Sequence, residues 1–213
     1  MDPKIFLRNI EWFYRELYES VIEPVRPLIR LGAQYDGGYL LPEDLTGIHS
    51  CFSPGVALTA DFEMDLARIY GLPVFMCDHT VDASPLKHPL LHFQKTGIGY
   101  GSNSGGLLQP MSKWVQECSI PADAELLIQM DIEGAEYEFF QFERPEFLSR
   151  CRYIIMEMHY LHQMIQPMYF ENRLVPFLNQ IKQNFDIIHI HPNNHTVFAQ
   201  FAGLNITGCL ELT

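Results

Sequence analysis

Five places in this 213-residue chain gather side chains that could do chemistry. Asp131-Ile132-Glu133 sets two carboxylates two residues apart, and Glu157-Met158-His159 sets a carboxylate two residues before an imidazole. His189, His191, Asn193 and Asn194 crowd a third stretch, and Asp78-His79 and Ser53-Pro54-Gly55 make the fourth and fifth. Two carboxylates side by side can hold a divalent cation through oxygen ligands, or one of them can serve as a base with a shifted pKa. The same acids would equally suit the first turn of a helix, with Glu133 and Glu136 facing its dipole. Glu157, His159, His191 and Asn193 would complete a site around Asp131. Imidazole with carboxylate suits several first-row metals, and a mainly oxygen set suits Mg²⁺ or Mn²⁺. A solitary histidine is as readily a hydrogen-bonded structural residue, and the chain has nine.

Asp78 follows Gly55 by roughly the ~20 residues at which an acidic side chain meets a ribose hydroxyl after a glycine turn; a capping or turn aspartate is the plainer alternative. Ser53-Pro54-Gly55-Val56-Ala57 is poor in glycine. A pyrophosphate needs several glycines for close backbone approach, so this turn argues against a dinucleotide. A donor without phosphates, such as S-adenosylmethionine, asks less of it, and Glu63 or Asp61 nearby could meet its ammonium group. Those two acids would also sit well in a solvated first helical turn.

These residues need elements to position them. Apolar spacing predicts an amphipathic helix over 3–22, ended by Pro24 and Pro27. Asp36-Gly37-Gly38 marks a tight turn between two short extended pieces. From residue 48 strands and helices alternate: strands at 48–52, 73–77, 90–97, 125–130, 153–158, 185–190, 197–201 and 210–212, and helices at 59–70, 111–117, 135–142 and 168–184. Short apolar strands separated by helices predict an α/β fold, a mostly parallel sheet with helices on both faces and right-handed crossovers. The domain reading is an N-terminal helical segment, 1–29, and one Rossmann-like domain, 30–213. Every polar cluster falls at a predicted strand end, where open α/β sheets bind their ligands. The glycine-rich stretch 97–106, with Gly99, Gly101, Gly105 and Gly106, is either a lid or a plain surface loop. The last four residues end inside a strand-like pattern, as a trimmed chain would.

Composition narrows the partners. Hydrophobic residues make up 47 % of the chain, enough for one core without disulfide or structural metal. A net charge of −12 with no basic cluster excludes a phosphate-backbone partner and disfavours anionic membranes, which leaves a small or neutral substrate. No apolar run approaches the ~18 residues of a membrane span. Five scattered cysteines without a CxxC pair read as free, buried thiols of a reducing compartment, and with no signal peptide the expectation is a cytoplasmic protein. The aromatics Trp12, Tyr14 and Tyr18 of the first helix pack it or dock a second copy, so an oligomer is possible.

Four segments carry a family likeness. They are Arg30-Leu31-Gly32 with Asp36-Gly37-Gly38-Tyr39; Phe52-Ser53-Pro54-Gly55-Val56 with Asp61-Phe62-Glu63; Val74 to Asp78; and Met130-Asp131-Ile132-Glu133-Gly134-Ala135-Glu136-Tyr137-Glu138. Over residues 30–212 the chain resembles the FkbM-type S-adenosylmethionine-dependent methyltransferases, in the subgroup that begins with a DGGY segment. The resemblance implies a seven-stranded Rossmann-like methyltransferase sheet. It places Ser53, Gly55 and Glu63 near the methyl donor and Asp78 on its ribose, and Asp131, from its place at a predicted strand end, is read with them as a donor-binding residue. It implies O-methylation of a sugar or another small hydroxylated metabolite such as a natural product. His191-Pro192-Asn193-Asn194 resembles the subgroup's late His-x-Asn-Asn stretch. The leading catalytic pair is Asp131 and His159, with Asp131, Glu157, His159 and His191 as the ligand set for a divalent cation. Two other classes fit the same residues: a metal-dependent hydrolase, and a non-catalytic binding module on a methyltransferase scaffold.

Overall fold

The computed structural model describes residues 3–101, 107–193, 198–201 and 203–213. Gly105 and Gly106 of the expected lid, Asn194, and Val197 at the start of an expected strand lie outside them. The chain opens with α1 (Pro3–Glu19) and a hairpin of β1 (Leu28–Gly32) and β2 (Gly38–Pro42). Next come β3 (Ile48–Pro54), α2 (Asp61–Tyr70), β4 (Val74–Cys77) and β5 (Leu91–Gln94). The short strands β6 (Gly97–Ile98) and β7 (Leu108–Gln109) lead to α3 (Met111–Glu117) and β8 (Glu125–Met130). Then α4 (Glu136–Phe142), α5 (Pro145–Leu148) and β9 (Cys151–Met158) follow. After a 3₁₀ turn (Leu161–Ile165), α6 (Pro167–Tyr169), a π-helical stretch (Phe170–Leu174) and α7 (Val175–Asn184) form one helical run. The chain closes with β10 (Ile190–Pro192), β11 (Phe198–Phe201), β12 (Leu204–Thr207) and β13 (Leu210–Leu212).

Seven strands form the main sheet in the order β10-β13-β9-β8-β3-β4-β5. The five from β9 to β5 are parallel, and β13 runs antiparallel to both neighbours, which turns β10 parallel to β9 again. This is the expected Rossmann-like methyltransferase sheet. Strands buried on both faces must be apolar throughout, and Leu126, Leu127 and Ile128 are wholly buried. The chain moves outward from β3 through β4 to β5, then returns to the other side of β3 with β8. A crevice opens at such a switch point, at the carboxyl ends of the strands.

Alternation sorts the strand residues between two cores. Phe52, Ile128 and Met156 face one side and pack with α1, α3, α4 and α7 through Phe13, Trp114, Phe139 and Phe177. Cys51, Leu127 and Ile155 face the other and pack with the hairpin and α2 through Tyr39, Leu41, Phe62 and Leu66. Two residues further along, the same parity sends Ser53, Gln129 and Glu157 to the hairpin side, where all three are buried. The fold thus carries polar side chains under the hairpin because strand period, not local preference, dictates it.

Several elements depart from the sequence reading. Helix α1 stops at Glu19, and Val21 bridges Ile187, so this segment belongs to the main core rather than hanging from it. Its aromatics are used within the chain: Trp12 meets Phe170 edge-on at 5.7 Å, and Tyr14 stacks on Tyr18 at 6.3 Å. The stretch expected as one strand over 90–97 splits between two sheets, and sheet pairing of the 185–190 stretch begins only at Ile190. β11 pairs with β12, a strand not foreseen, in a separate hairpin. Helix 168–184 contains a π stretch just before Pro176, whose missing N–H and bulky ring disturb the preceding turn. All five cysteines are free, and four are buried.

Because Phe13 is wholly buried between α1 and the sheet, Phe13→Ala should cost about 3–5 kcal/mol. A urea titration would show it as a lower midpoint with unchanged slope. Tyr18→Ala on the same helix, at a side chain 48 % exposed, should stay within about 1 kcal/mol.

Candidate active site

Strand β3 ends in Ser53-Pro54-Gly55, and the glycine is obligatory. Gly55 has φ +88°, and a Cβ there would lie 1.7 Å from the Asp131 carbonyl oxygen. Its N–H donates to the Cys77 carbonyl at 2.8 Å, and the Asp131 N–H donates to the Pro54 carbonyl at 3.3 Å. Three strand ends are tied together at this point.

Asp78 stands just past β4. Its Oδ1 accepts from the Thr80 N–H (2.7 Å) and hydroxyl (2.6 Å), and its Oδ2 accepts from the Ala57 N–H (2.9 Å). Burial works to raise its pKa, but the Thr80 and Ala57 donors outweigh it and hold the carboxyl below its usual range. A carboxylate offers about four lone-pair directions, so one on Oδ2 remains for a ligand hydroxyl. Asp78 borders a cleft of about 270 Å³ with Gly55, His79, Ile98 and Asp131. A second recess, about 30 Å³ and largely polar, lies among Asp36, Thr59, Asp61, Glu63 and Gln129. Gly55 and Asp131 line both. A larger groove of about 520 Å³ beside Arg26, Leu148 and Arg152 holds none of the strand-end residues.

Inside the smaller recess Ser53 donates to Glu63 Oε1 at 2.5 Å and lies 2.7 Å from the side-chain amide of Gln129. Burial pushes the Glu63 carboxyl up to about 6, against the pull of the Ser53 hydroxyl.

The other side of Asp131 is strongly acidic. His159 Nδ1 lies 3.0 Å from Glu136 Oε1 and 3.0 Å from the Glu157 carbonyl oxygen, so this nitrogen carries a proton. Nε2 then faces Asp131 Oδ1 at 3.5 Å, with Glu133 Oε2 and Glu157 Oε2 each at 3.9 Å. Glu136 is wholly buried, and its Oε1 also accepts from the Ile132 N–H at 3.0 Å. Glu157 accepts from the Tyr39 hydroxyl (3.0 Å) and from Asn193 Nδ2 (2.8 Å), and Cys209 Sγ lies 3.6 Å from its Oε2. Asp131 Oδ1 and Glu136 Oε2 are buried without a hydrogen-bond partner. Burial, then the Glu157 charge, pushes Asp131 up to about 8 despite His159. Burial also raises Glu157, with Tyr39 opposing. His159 is raised although burial opposes it, because Cys209 and Glu136 favour the imidazolium.

The turns that shape this pocket run through the left-handed region at Glu133 (φ +52°), Gly134 (φ +98°) and Tyr160 (φ +58°). Such a conformation in a non-glycine residue costs about 1–2 kcal/mol and recurs at functional sites. A Cβ on Gly134 would lie 2.6 Å from the Tyr160 ring.

The structure therefore brings Asp131, Glu157 and His159 together, and Asn193 joins them through Glu157. Gly55 and Glu63 line the smaller recess with Asp131, Ser53 is bonded to Glu63 behind it, and Asp78 lines the larger cleft. His191 is not brought in: it lies on β10 opposite Glu211, with its ring stacked on His189 at 6.3 Å, and neither group of possible metal ligands among the described residues includes it. Sequence reasoning missed Tyr39, Gln129 and Cys209 as site residues. It treated Glu136 as a helix-terminal acid and not as the partner of His159. Parity along β8 could have flagged Gln129, two residues before Asp131.

Residues 121–188 match the family model of the methyltransferase FkbM domain. The matched interval runs from just before β8 to just past α7 and holds Asp131, Glu133, Glu136, Glu157 and His159. This is the family that the run 130–138 resembles, and over this stretch the chain is similar to it. No curated protein matches the chain.

Gly55→Ala should cost about 2–5 kcal/mol in thermal or urea unfolding, since strain at a positive φ adds to a clash with backbone. Gly71→Ala is the control: its φ is also positive (+63°) but nothing lies within 4 Å of the added carbon, so about 1 kcal/mol is expected.

Proposed function

We propose that this chain transfers the methyl group of S-adenosylmethionine to a hydroxyl of a small acceptor, of the sugar or natural-product kind. The observation that carries the reading is the pair of recesses meeting at Gly55 and Asp131. The larger has room for a nucleoside, with the free acceptor direction of Asp78 toward a ribose hydroxyl. The smaller is lined by Glu63, Asp61 and Asp36, which suit the ammonium of an amino-acid tail. The sulfonium would then lie at Gly55, beside the Asp131–His159 pair.

Methyl transfer from a sulfonium is an in-line displacement in which the positive charge on sulfur disappears. Alignment and exclusion of water matter more than an oxyanion site. The oxygen nucleophile must shed a proton. Asp131 orients the hydroxyl, and His159, fixed by Glu136, acts as ligand to a cation that lowers the hydroxyl's pKa or, once it has given up the Nε2 proton that its acidic neighbours favour, as base.

Calorimetric titration with S-adenosylmethionine and S-adenosylhomocysteine tests the reading. Binding should weaken about tenfold or more in Asp78→Ala, the size of a lost hydrogen bond to a charged group. It should also weaken as pH falls through about 6, where Glu63 takes up a proton and can no longer hold an ammonium. Glu63→Gln should bind weakly at every pH. His159→Ala should keep donor binding while methyl transfer to a panel of hydroxylated acceptors drops by about 10²-fold or more. Absence of binding by either ligand would sink the proposal.

A further inference from the structure

The most unexpected member of the acidic cluster is a thiol. Cys209 immediately precedes β13, and the antiparallel pairing of β13 with β9 sets it beside the end of the strand that carries Glu157. Its Sγ, a Glu157 carboxylate oxygen and a His159 ring nitrogen all lie within 4.8 Å of one another, with Sγ 3.6 Å from Oε2 and Nε2 3.9 Å from Oε2. Ligand atoms on a tetrahedral zinc ion, with bonds of about 2.0–2.3 Å, stand about 3.3–3.6 Å apart. The cluster is nearly at that spacing already.

Three further features fit a cation there. His159 directs its Nδ1 proton to the wholly buried Glu136 and to the Glu157 carbonyl, which turns Nε2 toward the cluster, where a metal would take the place of its proton. This carboxylate–imidazole arrangement orients metal-bound histidines. Glu157 is itself steadied by Tyr39 and Asn193, as an anchored ligand would be. Asp131 Oδ1, buried and without a hydrogen-bond partner, faces the same nitrogen at 3.5 Å. Among the described residues, the ion pairs of Asp131, Glu133, Glu136 and Glu157 are all with His159, so one imidazole stands among four carboxylates.

We propose that Glu157, His159 and Cys209 form a binding site for a borderline-soft divalent cation of the zinc class, with Asp131 at its open side. Hard Mg²⁺ avoids sulfur, whereas zinc takes mixed S/N/O sets. Binding displaces the Cys209 thiol proton to solvent and forms a metal–thiolate bond. The site stands on its own geometry. Only its use, to lower the pKa of an acceptor hydroxyl, rests on the methyl-transfer reading.

Co²⁺ added to chelator-stripped full-length protein is the probe. One equivalent should bind, with the strong visible absorption of a four-coordinate site and a near-ultraviolet thiolate-to-cobalt charge-transfer band. Cys209→Ser should abolish the charge-transfer band, Cys118→Ser should keep it, and His159→Ala should weaken binding by about 10²-fold or more. Glu136→Gln should weaken it about 10- to 100-fold. In the unsubstituted protein, Zn²⁺ should protect Cys209 from alkylation, read by peptide mass spectrometry, which needs no variant to fold. Failure to bind Co²⁺, binding without a charge-transfer band, or a band that survives Cys209→Ser would each overturn the proposal. S-adenosylhomocysteine titrated into the same samples separates the two ideas. Donor binding without cobalt sinks only the metal site, and cobalt without donor sinks only the methyl-transfer reading.

Discussion

The contact between Gly55 and the Asp131 carbonyl is the constraint on which the rest of the site depends. Two strand ends meet there at a distance no side chain permits. The meeting point is also the topological switch of the sheet, where β4 and β8 leave β3 in opposite directions. Because Gly55 and Asp131 border both recesses, one backbone contact sets the distance between the side of Asp78 and Glu63 and the side of His159. The methyl transfer proposed above tolerates little misalignment, so a contact that cannot slide would suit its centre.

Electrostatics supply the second organising fact. Buried carboxylates are expensive unless hydrogen-bonded or paired. The fold meets that cost unevenly. Glu157 has Tyr39 and Asn193, and Glu136 has Ile132 and His159, whereas Asp131 Oδ1 has no hydrogen-bond partner. Glu136 Oε2 is likewise buried without one, and of these two residues Asp131 is the one that borders both recesses. Ser53, Gln129 and Glu63 make a parallel case at the smaller recess: Glu63 is held by a hydroxyl rather than a cation, and burial lifts its pKa to about 6. Both acids sit where a positively charged partner would relieve them.

Much of this was legible in the sequence, because parallel strands announce themselves as apolar runs and the residue after each run stands at the ligand-binding edge. Asp78, Asp131 and His159 were found in that way, and so was Gly55 as the single glycine of the first turn. Local pattern could not reveal which strands are neighbours. β13 is three residues long, and its insertion between β9 and β10 is a tertiary fact. That insertion brings Cys209 to Glu157 and holds β10 one strand away from β9. His191, on β10, consequently faces Glu211 across the pairing instead of joining His159. Tyr39 was quoted only as part of a turn motif, since nothing in a hairpin's sequence says which carboxylate its tyrosine will meet. Glu136 illustrates another limit. An acid at the first position of a helix satisfies the dipole and the Ile132 N–H, and those local reasons conceal its second role in orienting His159.

The matched interval 121–188 contains the acids and the imidazole of one side, but it does not contain the site. Most residues lining the other side of the two recesses come from 53–98, and the hairpin 28–42 joins the two sides. Gly32 N–H donates to Asp65 of α2 at 2.8 Å, Asp36 and Gly37 line the smaller recess, and Tyr39 reaches Glu157. The hairpin thus touches α2, the smaller recess and the Glu157 carboxylate at once. Its turn, Asp36-Gly37-Gly38, is built for close approach. A Cβ on Gly38 would lie 1.9 Å from the Ala33 carbonyl oxygen, and Gly37 has φ +73°. The Asp36-Gly37-Gly38-Tyr39 turn is therefore held in shape by its glycines and joined to the acidic cluster through its tyrosine.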